Sequence, residues 1–186
     1  LAIENGARAV VATHIFGHPL DCGRLQEIVG SAPHPVAVIQ DCAHGFRTSW
    51  KGAPVAGMGL AALYGLNIAK YMTSVFGGMI TTSDEGLAEA LARARDRRLH
   101  PGGLRRRLAK AAYGLAASLA FSRPGHAWFD RLEEGSARLR RMRDAYHRDG
   151  LIHLPPDAFE RLGGFEAGVG LRQLARHGAV AAGVVD

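Results

Sequence analysis

Four short stretches, mostly apolar and each running into polar or glycine positions, set the frame of this chain. Ala7 to Ile15 reads A-R-A-V-V-A-T-H-I and is rich in β-branched residues. Val36 to Ile39 runs into Gln40 and Asp41, and Leu60 to Leu66 runs into Asn67 and Lys70. Phe76 to Thr82 carries a Gly pair near its start. Continuous apolar runs of this length predict strands buried on both faces, as in parallel sheets. Between and after them the period changes to that of helices. Asp21 ahead of C-G-R-L-Q-E-I-V-G predicts an N-capped helix with Leu25, Ile28 and Val29 inward and Gly30 as its stop. Ser31 to Pro35 reads as a turn, and Gly45 to Gly59 as a loop carrying Trp50 and Lys51.

The second half is helical in pattern. From Ser83 the sequence S-D-E-G-L-A-E-A-L-A-R-A-R-D places acids in a first turn and arginines in a last, with Ser83 or Asp84 as cap and Leu87 and Leu91 inward. R-R-R at 105–107 precedes L-A-K-A-A-Y-G-L-A-A-S-L-A-F, an apolar helix of about four turns. After a break at Ser122 to Gly125, Trp128 to Arg148 reads as a helix with Leu132, Leu139 and Met142 inside, and Pro156 and Asp157 open a last one. The fold class this predicts is α/β, with a mostly parallel central sheet flanked by helices.

Composition narrows the class. The 186 residues, 47% hydrophobic and 22% charged, have room for one medium globular domain with a sizeable core. Two cysteines, Cys22 and Cys42, without C-x-x-C or zinc spacing argue against a disulfide framework and for a reduced, cytoplasmic compartment. The net charge of +6 is gathered in one place: between 93 and 148 there are fifteen Arg and Lys against five Asp and Glu. A four-turn helix is too short for a bilayer, which needs about 20 apolar residues. No nucleic-acid motif accompanies the arginines and aromatics are sparse, so nucleic acid is not an expected partner. A helical insertion packing on the main domain or on a partner subunit is favoured over contact of the 104–122 helix with an anionic membrane surface. A third role for some of these arginines is to face an acidic substrate such as a nucleotide diphosphate.

Candidate chemistry gathers at the strand ends. In open α/β sheets functional side chains sit where the chain leaves the core, and Asp41, His44 and Lys70 are all placed that way. A lysine against an apolar strand can serve as an amine nucleophile towards carbonyls. Pyridoxal 5'-phosphate (PLP) needs such a lysine and an acidic partner for its ring nitrogen. Spacing alone leaves a surface lysine and a helix-capping Asp as the plainer reading. His14 and His18 are four apart, which on a helix would suit a metal, but Gly17 and Pro19 argue against helix there. Loop histidines near a cleft are expected instead, with no metal. Lys51 reads as a solvated loop lysine.

The motifs say more. D-C-A-H at 41–44, K-G-A-P-V-A-G-M-G at 51–59, Y-G-L-N-I-A-K at 64–70 and F-G-G-M-I-T-T-S-D-E at 76–85 together resemble the nucleotide-sugar aminotransferase family of DegT/StrS type. T-H-I-F-G-H-P-L-D at 13–21 is similar to that family's V-H-L-Y-G-Q-P-A-D segment, and F-E-A-G-V-G-L-R-Q-L at 165–174 to a segment that packs beside its active site. The resemblance implies the large domain of a fold-type-I PLP-dependent enzyme, incomplete at both ends. By position, Lys70 would be the Schiff-base lysine and proton shuttle, Asp41 the partner of the pyridinium nitrogen, and His44 a neighbour of the cofactor's phenolic oxygen. Asn67 stands where the family often keeps a polar group. Gly65 stands where the family usually has a phosphate-binding Ser, leaving only a backbone N–H to offer.

The implied activity is transfer of an amino group from a donor such as glutamate to a nucleotide-linked keto-sugar, by a homodimer whose sites draw on both subunits. Lysine at position 70, rather than the histidine expected of the family's dehydratases, points to the aminotransferase branch. One alternative is a catalytically inactive homologue acting as a scaffold or dimerising domain, with Gly65 as its sign. A metal-dependent hydrolase using His14, His18, Asp41 and His44 ranks behind both, since it leaves Lys70 without a role. The expected organisation is a PLP-binding core over 1–100, a basic helical insertion over 101–150, and a helical segment over 151–186.

Overall fold

The computed structural model of the chain describes residues 2–68, 70–120, 122 and 158–181. The chain divides into two compact units, Leu1–Leu99 with Glu166–Asp186, and His100–Phe165.

In the first unit, strand β1 (Ala9–Thr13) is followed by helix α1 (Cys22–Gly30) and strand β2 (Ala37–Asp41). A two-stranded hairpin, β3 (Ser49–Trp50) and β4 (Ala53–Pro54), and a 3-10 turn (Val55–Gly57) lead to β5 (Ala61–Gly65). Strand β6 (Gly78–Thr81) and helix α2 (Glu85–Arg98) complete the run. The sheet order is β1-β2-β5-β6, with β1, β2 and β5 parallel and β6 antiparallel to β5. This is the mostly parallel α/β sheet that the apolar runs predict, but β1 and β6, at its edges, are largely exposed and not buried on both faces.

Capping fixes the helix starts as expected. Asp21 accepts the Arg24 N–H at 2.8 Å and Asp84 the Leu87 N–H at 2.8 Å, each satisfying one of the first-turn amides that a helix leaves without a partner. Ile28 departs from expectation, being 44% exposed. Cys22 is buried and enters a core with Cys42, Val55 and Ala62. Cys22, Leu25 and Val29 recur at i, i+3 and i+7, so they define the inward face and Ile28 falls about a quarter of a turn off it.

The segment 45–59 is more ordered than a plain loop. Pairing of Ser49 with Pro54 and of Trp50 with Ala53 leaves Lys51 and Gly52 as a two-residue turn. Both have positive φ, at 48° and 85°, as a type I′ hairpin requires. Lys51 lies in that exposed turn with its Nζ 5.6 Å from the Trp50 ring centre. Gly59 is needed where it stands, because a Cβ there would lie 2.5 Å from the Val38 carbonyl oxygen.

In the second unit, helix α3 (Leu104–Ala120) begins before the R-R-R run, so Arg105 to Arg107 lie in its first turn and do not precede it. A parallel bridge joins His100 and Glu160, with the His100 N–H donating to the Phe159 carbonyl and the Arg161 N–H to the His100 carbonyl, each at 3.0 Å. The Glu160 side chain is 4% exposed and accepts from Arg106 and from Lys110. Burial alone would push its carboxyl up, but the two cations outweigh that and hold it below the ordinary range. Leu104, Leu108, Leu115 and Leu119 of α3 face outward. The expected break at 122–125 lies outside the described residues save for Ser122, and the expected Trp128–Arg148 helix and Pro156–Asp157 helix start lie wholly outside them. Phe159 to Arg161 pair with His100 outside any helix, and the last helix, α4 (Gly164–Ala181), belongs from Glu166 onward to the first unit. No helix among the described residues is long and apolar enough to cross a membrane.

Candidate active site

Asp41 closes β2, and Lys70 follows β5, the parallel neighbour of β2. Both therefore leave the sheet at its carboxyl edge, where open α/β folds place ligand-binding groups. The register pairs Thr13 with Asp41, so the two side chains share a face. The Thr13 hydroxyl donates to Asp41 Oδ2 at 3.3 Å, and the Ala43 N–H donates to Oδ1 at 3.0 Å. Each carboxylate oxygen keeps a second lone pair to offer. Thr13 is a residue that motif reasoning missed. Its signal was a hydroxyl at the last position of a strand next to the acidic one.

Three residues beyond Asp41, His44 reaches Lys70, with Nε2 and Nζ 2.5 Å apart. Two cationic donors have no lone pair between them, so this hydrogen bond exists only when one partner has given up its proton. The Phe16 ring meets the His44 imidazole edge-on at 5.6 Å. Asn67 accepts the Lys70 N–H on its carbonyl at 3.0 Å, closing the turn that presents the lysine. Gly65 faces both loops: a Cβ there would sit 3.5 Å from the Ala43 Cβ and 3.5 Å from the Lys70 Cε. The structure thus brings Asp41, His44, Gly65 and Lys70 to one edge of the sheet, with the Asn67 carbonyl closing the turn before Lys70.

His14 is apart from this group. It is fully buried, and the Leu20 N–H donates to its Nδ1 at 3.1 Å. Nε2 must then carry the proton, which goes to Gln40 Oε1 at 2.8 Å, and Gln40 Nε2 donates to the Met58 carbonyl at 3.1 Å. Both ring nitrogens are engaged in holding the floor beneath the site. Ile15 and His18 form a bridge around Phe16 and Gly17, both at positive φ, so His14 and His18 do not share a helix face. Beneath Asp41, burial pushes the Cys42 thiol up to about 11, with Asp41 and Cys22 adding to the effect. Cys22 is likewise raised, by burial and then by Asp21. Both thiols are free.

The loop from Leu66 to Gly77 is held at its base by backbone bonds, Leu66 N–H to Gly77 and Ser74 N–H to Leu66, each at 2.9 Å. Aromatic groups stand beside it. Phe46 contacts Tyr64, Tyr71 and His177 with ring centres 6.1, 6.4 and 5.5 Å away. His177 belongs to α4, and no local pattern could have tied it to a loop a hundred residues earlier.

Residues 1–147 match the DegT/DnrJ/EryC1/StrS aminotransferase family. The chain belongs to that family. The GDP-perosamine synthase of Escherichia coli O157:H7 is 33% identical over 85 residues, covering 46% of this chain and 23% of that protein. Among solved structures, the aminotransferase from Psychrobacter cryohalolentis aligns at 22% identity and TM-score 0.54 over 91% of this chain and 33% of its own. Helicobacter pylori PseC, an aminotransferase involved in the biosynthesis of pseudoaminic acid, aligns at 18% identity and TM-score 0.55 over 95% of this chain and 36% of its own. At these identities the two structures speak for the fold. The chain spans about a quarter of the length of the curated relative it matches.

Proposed function

We propose that this chain carries the cofactor-binding core of a PLP-dependent aminotransferase that moves an amino group from a donor such as glutamate to a keto-sugar linked to a nucleotide. The observation that carries the reading is the contact of Lys70 Nζ with His44 Nε2, three residues past Asp41, at the carboxyl edge of a parallel sheet. The residues present fit PLP: a carboxylate with free lone pairs and an amine with a proton acceptor at its tip. Bound PLP would supply the electron sink that makes a donor α-proton removable. Asp41 would accept the ring N–H. Lys70 would hold the cofactor carbonyl and, once displaced by the donor amine, carry the proton on Nζ, with His44 Nε2 steering that nitrogen. The active species is proposed to be a cytoplasmic homodimer.

The test is borohydride reduction of the protein mixed with PLP, beside Lys70→Ala. We expect a visible absorbance band and a covalent label on Lys70 in the parent, both absent in the variant. Glutamate and keto-sugar nucleotides then test the two half-reactions. A parent that takes no label leaves the scaffold reading, which Gly65 favours because the hydroxyl contact to phosphate is missing.

A further inference from the structure

The chemistry proposed above makes no use of α4, yet one face of that helix is committed to the loop bearing Lys70. Gly170, Gln173 and His177 recur at i, i+3 and i+7, the spacing of a single helix face, and each meets a different part of the site. A Cβ on Gly170 would lie 3.4 Å from the Ser74 Cβ, so the helix backbone runs flush against the loop. Gln173 Oε1 accepts the Thr73 N–H at 2.9 Å. His177 stacks on Tyr71 with ring centres 5.2 Å apart, and its carbonyl accepts from the Arg47 guanidinium at 3.1 Å.

The loop needs such a hold. Val75, β-branched and buried, sits at φ 73°, in the left-handed region that such residues avoid. Arg47, on the facing loop, sits at φ 62°. Residues in these conformations persist only where their surroundings over-determine them. The Thr73 hydroxyl accepts the Val75 N–H at 2.8 Å and donates to the Leu66 carbonyl at 3.1 Å. The strained turn therefore closes through Thr73, and the amide of Thr73 is itself held by Gln173.

We propose that Gln173 is a positioning residue for Lys70. By accepting the Thr73 N–H it fixes the turn that keeps the lysine amine against His44 Nε2. This rests on the reading of Lys70 as the cofactor-bearing lysine. Deprived of its acceptor, the half-buried Thr73 amide has to find solvent, the turn relaxes, and Lys70, three residues earlier, leaves His44.

The experiment compares the full chain with Gln173→Leu, which keeps the volume and removes the acceptor, and Gln173→Glu, which keeps an acceptor oxygen and adds a charge. Two readouts need no cofactor: hydrogen exchange at the Thr73 amide and the nitrogen-15 shift of His44 Nε2, with Lys70→Met as the reference for a lost contact. In Gln173→Leu we expect Thr73 exchange to quicken by roughly three- to ten-fold and the His44 signal to move to the Lys70→Met position. Gln173→Glu should keep both near the parent values. Should the leucine variant match the parent while the glutamate variant is the damaged one, Gln173 only fills space and the proposal is overturned. Borohydride trapping of PLP on the parent is run in parallel. If it fails while the two readouts respond as expected, the cofactor reading falls and the positioning contact stands.

Discussion

The loop from Leu66 to Gly77 carries one basic residue and helix α3 carries four, and the two elements use them in opposite ways. Around the loop, polar atoms are committed to specific partners: Lys70 to His44, Thr73 to Gln173 and Leu66, Val75 to Thr73. On α3, Arg106 and Lys110 share the single carboxylate of Glu160, while Arg105 and Arg107 stand exposed beside outward-facing leucines. Directional bonds to a single partner fix the position of an atom, and in the part-buried Thr73 turn losing one leaves an amide that must find another acceptor. Exposed charges set a field and tolerate displacement. On α3 the exposed Arg105 and Arg107 are thus less able to specify a geometry than Arg106 and Lys110, which hold Glu160.

The comparison can be broken most directly at the floor of the site. Gln40→Leu removes the acceptor of His14 and the donor to Met58, and should lower stability by about 2 kcal/mol, since a buried polar group left unsatisfied costs of order 1–3 kcal/mol. Thermal unfolding reads this, and an effect below about 0.5 kcal/mol would sink the idea that the site rests on a committed network. Gly65→Ser should be accommodated, because a Cβ there meets its neighbours at ordinary contact distance. If the site takes PLP, the added hydroxyl should tighten binding about ten-fold, in line with a hydrogen bond to a charged group. Titration of PLP absorbance measures it, and unchanged affinity would place the phosphate elsewhere.

A different effect, spread over a range of pH, concerns the alkaline side. The Cys42 thiol is raised to about 11, above the roughly 8.5 of an unfolded thiol. The unfolded chain therefore loses that proton first, and the stability present below about pH 8.5 declines as pH rises towards 11, by at most about 1.4 kcal/mol per pH unit. Cys42→Ala should flatten this slope in denaturant titrations run across that window, leaving the share that belongs to Cys22. The smallest change is expected on α3, where Arg105→Ala should stay within about 0.5 kcal/mol of the parent. A loss as large as that of Gln40→Leu would mean that the exposed arginines are bound after all.

Local sequence determined a good deal here. Apolar runs gave the strands of a parallel sheet, Asp21 and Asp84 announced their helices, and the order of motifs placed Asp41, His44 and Lys70 at strand ends, because capping, burial period and turn chemistry are set within a few residues. Family resemblance carried the expected roles onto those positions. Tertiary structure alone decided the rest. Nothing near His14 in the sequence shows that its ring nitrogens are consumed by Leu20 and Gln40, and nothing near Lys70 shows that its loop is held by Gln173 and His177. Nor does any local pattern bring Glu160 to Arg106. Apart from the Leu20 amide, six residues from His14, such contacts join residues tens to a hundred positions apart, and each exists only because the sheet and the helices have first brought their backbones together.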